Sequence, residues 1–352
     1  MSESLSSTVV EHYNKKNPSD LAARSKSRIF YMRNFNNWIK SVLINENLKI
    51  IRNDNRELSV LDLGCGKGGD SLKWINGKVS KVTFADIAEN SLEECKNRVS
   101  KVNFETNFVH IDATKELLKD KMENCQLHEL VSSQFVIHYS FESFEQADTF
   151  LKNVSDSLNP GGYFIGTTTN AAELIKRLRQ TESNSFGNEI YQIKFYQDNK
   201  DYFNLFGVKF HFKLEGVVEC PEFLVNFEAL VRIAQRHGLK LLFKKTFAEF
   251  FNEYCQRPEY LYLIKKMQAL EPYYPQDLAD DTSKRLPGDY EYIDQKLQDE
   301  QFKLDLKPEE TYATLSKSEW EAITLYIAFG FVKETDLKKE EDLSRNSEIV
   351  FR

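Results

Sequence analysis

The chain has 352 residues, 41% of them hydrophobic and 29% charged, with a formal net charge of −7. No apolar run approaches the ~18 residues of a membrane span. The acidic balance argues against broad, sequence-blind binding to long nucleic acid but leaves room for a local basic pocket. The five cysteines, Cys65, Cys95, Cys125, Cys220 and Cys255, lie far apart and are odd in number. No zinc site or disulfide framework is therefore expected. Met1 to Val10 shows no basic region followed by an apolar core, so an intracellular, reducing compartment is the expectation.

Residues 1–20 are polar and read as a loose leading segment. Ser25 to Asn47 has apolar residues at helical spacing, followed by a polar linker from Arg52 to Glu57. Leu58 to Leu63 is a short apolar run suited to a buried parallel strand. Gly64 to Gly69 is a turn, and Asp70 to Ile75 begins a helix. Lys81 to Ala85 is a second strand closed by Asp86, Ser91 to Val99 a helix, and Phe104 to Ile111 a third strand closed by Asp112. Glu129 to Val136 is a fourth strand and Glu145 to Leu158 a helix. The sequence Asn159-Pro160-Gly161-Gly162 predicts a tight turn before a fifth strand, Tyr163 to Thr168.

Alternating strands and helices predict an α/β fold, doubly wound around a mostly parallel seven-stranded sheet. Residues 183–220 read as an aromatic-rich insertion. Pro221 is expected to open an amphipathic helix running to His237, with Gly238 as its stop. Leu239 to Phe243 is a sixth strand. Residues 249–313, polar and proline-rich, read as a second insertion. Trp320 to Val332 reads as the last strand. A single catalytic domain over 21–333 is expected, followed by a mixed-charge tail over 334–352.

The glycine turn carries the first chemistry. Asp62-Leu63-Gly64-Cys65-Gly66-Lys67-Gly68-Gly69 follows a strand and precedes a helix, where glycines let a backbone approach a ligand closely. Asp86, ending the next strand, can accept hydrogen bonds from ribose hydroxyls. A phosphate-binding Walker loop would need Ser or Thr after Lys67, where Gly68 stands. A nicotinamide dinucleotide and S-adenosylmethionine both fit. The acidic residue two before Gly64 and the Pro-Gly-Gly turn before the fifth strand favour the second, and the glycines alone leave both open.

Several longer strings carry a resemblance. They are Arg28-Ile-Phe-Tyr-Met-Arg-Asn-Phe-Asn-Asn-Trp-Ile-Lys40, Val60-Leu-Asp-Leu-Gly-Cys-Gly-Lys-Gly-Gly-Asp70, Ser133-Gln-Phe-Val-Ile-His-Tyr-Ser-Phe-Glu142, Ser185-Phe-Gly-Asn-Glu-Ile-Tyr191, Glu215-Gly-Val-Val-Glu-Cys-Pro-Glu-Phe-Leu224, Met267-Gln-Ala-Leu-Glu-Pro272 and Leu315-Ser-Lys-Ser-Glu-Trp-Glu321. Together they resemble the eukaryotic messenger-RNA cap guanine-N(7) methyltransferases, from about His12 to Phe331. Several lie outside the generic fold.

The resemblance implies a Rossmann-like methyltransferase fold and transfer of a methyl group from S-adenosylmethionine to nitrogen 7 of the terminal guanine of GpppN-RNA, with S-adenosylhomocysteine as the other product. It implies Lys40, Gly64, Asp86, Asp112, Gln134 and Tyr139 at the donor, and Asn36, Asn37, Lys67, Lys73, Arg98, His138, Glu222 and Tyr326 at or near the cap. The chemistry of the side chains agrees. Cations suit phosphate oxygens, and a carboxylate at Glu222 can accept the imino and amino hydrogens of guanine. Aromatic rings at His138 and Tyr326 suit a base.

Each has a plainer reading. Lys40 is a surface lysine, Asp112 a helix N-cap, Lys67, Lys73 and Arg98 solvated helix faces, Glu222 a first-turn helix acid after Pro221, and Tyr326 a core aromatic. Nitrogen 7 of neutral guanine carries no proton, so no general base, and no metal, is expected. The family further implies a nuclear location and the capping machinery or RNA polymerase II as company, and a monomer is expected. The rival functions are a catalytically inactive cap-binding scaffold, a small-molecule methyltransferase and a dehydrogenase.

Overall fold

The computed structural model describes residues 27–54, 57–122, 126–273, 288–298 and 312–335. The leading segment 1–20, the start of the first expected helix at Ser25, the tail beyond 335 and much of the second insertion lie outside the described residues.

Seven strands form the central sheet: β1 (Ser59–Leu63), β2 (Lys81–Asp86), β3 (Glu105–His110), β4 (His128–Gln134), β5 (Leu158–Thr169), β10 (Leu239–Thr246) and β13 (Tyr326–Lys333). Their order across the sheet is β10-β13-β5-β4-β1-β2-β3. Only β13 runs antiparallel to its neighbours, β5 and β10. The chain winds outward through β1, β2 and β3, then restarts on the other side of β1 with β4 and β5. Such a reversal opens a crevice at the carboxyl ends of the strands, and the site lies there.

Neighbouring residues of one strand serve opposite faces of the sheet. Val60 and Val82 pack with the long helix α1 (Phe30–Asn53), α2 (Ser71–Asn76) and α3 (Glu89–Arg98), whereas Leu61, Ala85 and Val131 pack with α4 (Phe144–Asp156) and α6 (Phe227–Arg236). Cover on both faces leaves β1 and β4 buried along their whole length, without alternation. α1 runs on to Asn53, past the linker expected from Arg52, because Ile44, Leu48 and Ile51 are buried on the core side.

The first expected insertion, following α5 (Ala171–Arg179), builds an antiparallel sheet of four strands: β6 (Ser185–Gly187), β7 (Tyr191–Phe195), β8 (Lys209–Leu214) and β9 (Val218–Phe223). Here the sequence reading is corrected. Pro221 and Glu222 belong to strand β9 and not to a helix, and α6 starts at Phe227, with the Asn226 side chain accepting from the Ala229 amide. Proline is tolerated because β9 is an edge of its sheet.

The second insertion includes α7 (Phe247–Tyr254), α8 (Pro258–Met267), a β11 (Glu271–Tyr273) and β12 (Tyr312–Thr314) pair, and α9 (Glu291–Gln298). α10 (Lys317–Ile323) takes up Trp320, which was expected in the last strand; Ser316 and Glu319 close a capping box at its start. The Asn159–Gly162 turn proves to be an irregularity inside β5, where two residue steps along β4 face five along β5.

A cavity and a buried carboxylate at the switch point

A cavity of about 240 Å³ opens at the carboxyl ends of β1, β2 and β4. All six residues expected at a methyl donor line it: Lys40, Gly64, Asp86, Asp112, Gln134 and Tyr139. Asp86 ends β2 and its carboxylate ties down the glycine turn, accepting from the Gly66 amide at 2.7 Å and the Ala88 amide at 2.8 Å. Burial pushes its pKa up, against the pull of these amides.

The glycines of the turn divide by purpose. A Cβ on Gly64 would lie 2.4 Å from Val136 Cγ2, at a φ of +78°, so that position is closed by packing. A Cβ on Gly66 would meet nothing within 4 Å; it would project into open space where the turn faces the cavity. A backbone left bare toward a cavity, next to a carboxylate at a strand end, fits an adenosine-bearing ligand.

Asp112 lies just beyond β3. Its Oδ1 accepts from the Thr114 amide and hydroxyl, so the capping reading holds for a turn, while the residue also lines the cavity. Gln134 ends β4 and is held by Ser132 and Thr167. Phe135, which sequence reasoning passed over, follows with a φ of +60°, a strained value for an aromatic residue. Its amide bonds to Thr167, and its ring lines the cavity.

Lys40 is not a surface lysine. It and Lys73 each approach the same oxygen, Oδ1 of buried Asp70, at 2.7 Å. Burial alone would raise the Asp70 pKa, but the two ammonium groups outweigh it and hold the carboxyl well below the usual carboxylate range. Burial lowers the pKa of Lys73. Asp62 lies nearby, bonded by the Trp74 indole at 3.0 Å and pushed up to about 7 by burial and by the charge of Asp70. Asn37 Oδ1 accepts from Lys73 at 3.4 Å, so Asn37, Lys40 and Lys73 form one cluster around Asp70. Asp70, its centre, was read only as the start of a helix, and its side chain makes no cap hydrogen bond there.

Lys67 and Arg98 stand near α3, where Lys67 pairs with Glu94 at 2.6 Å and Arg98 donates to the Gly68 carbonyl at 3.3 Å. Arg98 is exposed, and Lys67 is half-buried. Asn36 Oδ1 is buried and has no protein partner.

Glu222 and His138 meet on the other side. After β4 a 3-10 turn (Ile137–Glu142) carries His138 and Tyr139, whose rings lie 4.3 Å apart. Strand β9 faces this turn. Its Cys220 Sγ is 3.3 Å from the Tyr139 hydroxyl, and two residues on, Glu222 Oε1 is 3.6 Å from His138 Nε2. That separation is too long for a hydrogen bond. Both groups are buried, and burial works against both charges, pushing Glu222 up to about 8 and His138 down to about 3. They form a neutral pair rather than an ion pair. Glu222 Oε2 and both ring nitrogens of His138 have no protein partner. Buried polar atoms are almost always bonded, so these atoms fit a polar ligand. Tyr326 opens β13 and is 4% exposed, its ring 5.1 Å from Phe135 and 5.5 Å from Phe247.

Comparison with known proteins places the chain in a family. A family model described as the mRNA (guanine-N(7))-methyltransferase domain matches residues 1–334. The chain is 40% identical to an mRNA cap guanine-N(7) methyltransferase of Drosophila melanogaster, over 92% of this chain and 76% of that protein. It is 39% identical to a Caenorhabditis elegans protein of the same name, over 96% of this chain and 90% of the relative. An mRNA cap guanine-N(7) methyltransferase 1 of Arabidopsis thaliana is 33% identical, over 96% of this chain and 83% of its own length. The solved structure of an S-adenosylmethionine-dependent methyltransferase from Clostridium acetobutylicum aligns with a TM-score of 0.46 at 12% identity, covering 86% of this chain and 92% of that chain. The chain belongs to the mRNA (guanine-N(7))-methyltransferase family, S-adenosylmethionine-dependent enzymes that act on capped RNA.

Proposed function

We propose that the cavity at the glycine turn holds S-adenosylmethionine and that Glu222 reads the cap guanine beside it. Asp86 takes the ribose hydroxyls and Asp112 the adenine amino group. Gln134 and Tyr139 wall the donor, and Lys40 meets its carboxylate from within the Asp70 cluster. Lys67, Lys73 and Arg98 serve the triphosphate, with Asn36 and Asn37 beside them. His138 and Tyr326 flank the base.

The single observation that supports this reading is the short bridge between the two halves. Tyr139 lines the donor cavity, its ring contacts His138, and His138 lies 3.6 Å from Glu222. A guanine whose Watson–Crick edge is held at Glu222 is thereby kept beside the donor.

When bound, the donor supplies an electrophilic methyl group on a sulfonium. The protein's part is alignment and electrostatics. Guanine nitrogen 7 attacks with a lone pair that carries no proton, so no side chain has to remove one. Fixing both partners in line contributes most of the rate. Glu222, once ionised against the base, also stabilises the positive charge that grows on the purine. We further infer that residues 21–333 act as one catalytic unit, and that the chain works in the nucleus as a monomer alongside the capping machinery or RNA polymerase II.

The test is labelled methyl transfer to GpppG and to m7GpppG. Label should enter GpppG alone. No transfer to GpppG would overturn the reading in favour of a cap-binding scaffold, and transfer only to small molecules would overturn it in favour of a small-molecule enzyme.

A further inference from the structure

Beyond the donor cavity, on the far side of the Asp70 cluster, a second groove of about 430 Å³ runs between α1, α2 and α8. We infer that this groove binds the first transcribed nucleotides of the capped RNA. The inference rests on the functional reading above and extends it past the triphosphate.

Three features of the groove carry it. The first is continuity. Gly69 lines both the donor cavity and the groove, and Asn37 and Lys73, proposed for the triphosphate, form the groove's near end. An RNA chain leaving the triphosphate at Lys73 enters the groove without a gap.

The second is charge. On a chain of net charge −7, no aspartate or glutamate lines this groove, whereas Lys73 and Lys266 do. Acids on the elements around it have cationic partners, Glu259 on α8 pairing with Lys49 at 3.6 Å. Asp70 lies beneath Lys40 and Lys73, and Glu46 is held by Arg257 at 2.6 Å, by Lys49 at 3.0 Å and by the Tyr260 hydroxyl. An anionic backbone therefore meets cations and no free carboxylate.

The third is the mixture of surfaces. Leu48, Leu263 and Met267, with Leu72 at the rim, give the groove an apolar surface suited to the face of a base. Asn37, Asn45 and Asn76 set amides along the walls, groups that can both donate to and accept from a base edge. Leu72, 69% exposed, stands at the groove's rim, open to contact by a base. Sequence-tolerant contacts of this kind suit an enzyme that must accept any first nucleotide.

The test compares steady-state methyl transfer to GpppG and to a capped RNA of about ten nucleotides, for wild type, Leu72→Asp and Lys266→Glu. Both side chains are exposed, so the fold should hold, and unchanged donor binding checks that it does. Wild type should prefer the RNA through a lower KM. Each variant should raise the KM for RNA by about fivefold to tenfold, the worth of one stacked base or lost phosphate contact, and leave GpppG unchanged. Wild type treating both substrates alike, or variants that change neither or both equally, would overturn the groove assignment; the same pattern is expected if a protein partner occupies the groove. Wild-type inactivity on GpppG itself would overturn the methyl-transfer reading together with the groove.

Discussion

The two halves of the site satisfy their polar groups in opposite ways. On the donor side the charges have partners within the protein: Asp70 has Lys40 and Lys73, and Asp86 has the Gly66 and Ala88 amides. On the side we propose for guanine, Glu222 Oε2 and both ring nitrogens of His138 are buried with no protein partner. The first is a scaffold that holds its shape through internal pairing. The second leaves the pairing to the ligand, so that a base lacking guanine's donors would leave a buried carboxyl unbonded. Leaving a buried group unbonded is how a polar site rejects a near-match most strongly.

The comparison breaks most visibly at Asp70. Asp70→Ala leaves Lys40 and Lys73 buried together without a counter-charge, and should cost about 3–5 kcal/mol of stability. A thermal or denaturant melt matching wild type would show that the cluster is not the scaffold we describe.

The guanine side should show its strain as a pH effect. Glu222 has a folded pKa of about 8 against an ordinary 4.5, so the stability that comes with its neutral form is complete below pH 4.5 and lost as pH rises through 8. Glu222→Gln removes that loss and should gain on wild type by on the order of 4 kcal/mol between pH 5 and 8. His138 works at the other end. Its pKa is depressed to about 3, so its contribution is present above the ordinary 6.5 and lost as pH falls toward 3. Parallel stability curves for wild type and Glu222→Gln between pH 5 and 8 would refute a neutral Glu222.

Binding experiments sharpen the contrast further. Glu222→Ala should lower methyl transfer to GpppG by about a hundredfold or more, on the scale of removing one partner of a buried charged hydrogen bond. Donor affinity by calorimetry should stay within about twofold, and an equal loss there would erase the division between the halves. Asp86→Ala is the complement. It should weaken donor binding by about tenfold to a hundredfold, losing hydrogen bonds to a charged group. Wild-type donor affinity in that variant would sink the assignment of the cavity.

How much of this was legible in the sequence follows the same divide. The half around the glycine turn is built from consecutive βα units, and its parts sit at the strand ends: Gly64 after β1, Asp86 at the end of β2, Gln134 at the end of β4. The guanine half joins a turn at His138 to a strand at Glu222, across a sheet that no local pattern announces. Pro221 before an amphipathic run read as a helix start, yet Asn226 was the better cap and was there to be read. Trp320 was put in a strand although Ser316 and Glu319 spell a capping box. Phe135 and Asp70 could not be found by pattern. A positive φ on an aromatic residue and a carboxylate shared by two lysines are consequences of packing, and appear only when distant segments meet.

The position of β13 sets a timetable for the molecule. It is the last of the described strands along the chain, yet it lies inside the sheet, between β5 and β10. During synthesis β5 therefore emerges as an open edge and stays one until residues through Lys333 exist, a long exposure for an apolar strand. Tyr326, the first residue of β13, completes the aromatic wall beside Phe135 only then. A nascent chain that already carries the whole glycine turn still lacks β13 and its Tyr326, so the wall beside Phe135 is closed by one late, long-range pairing.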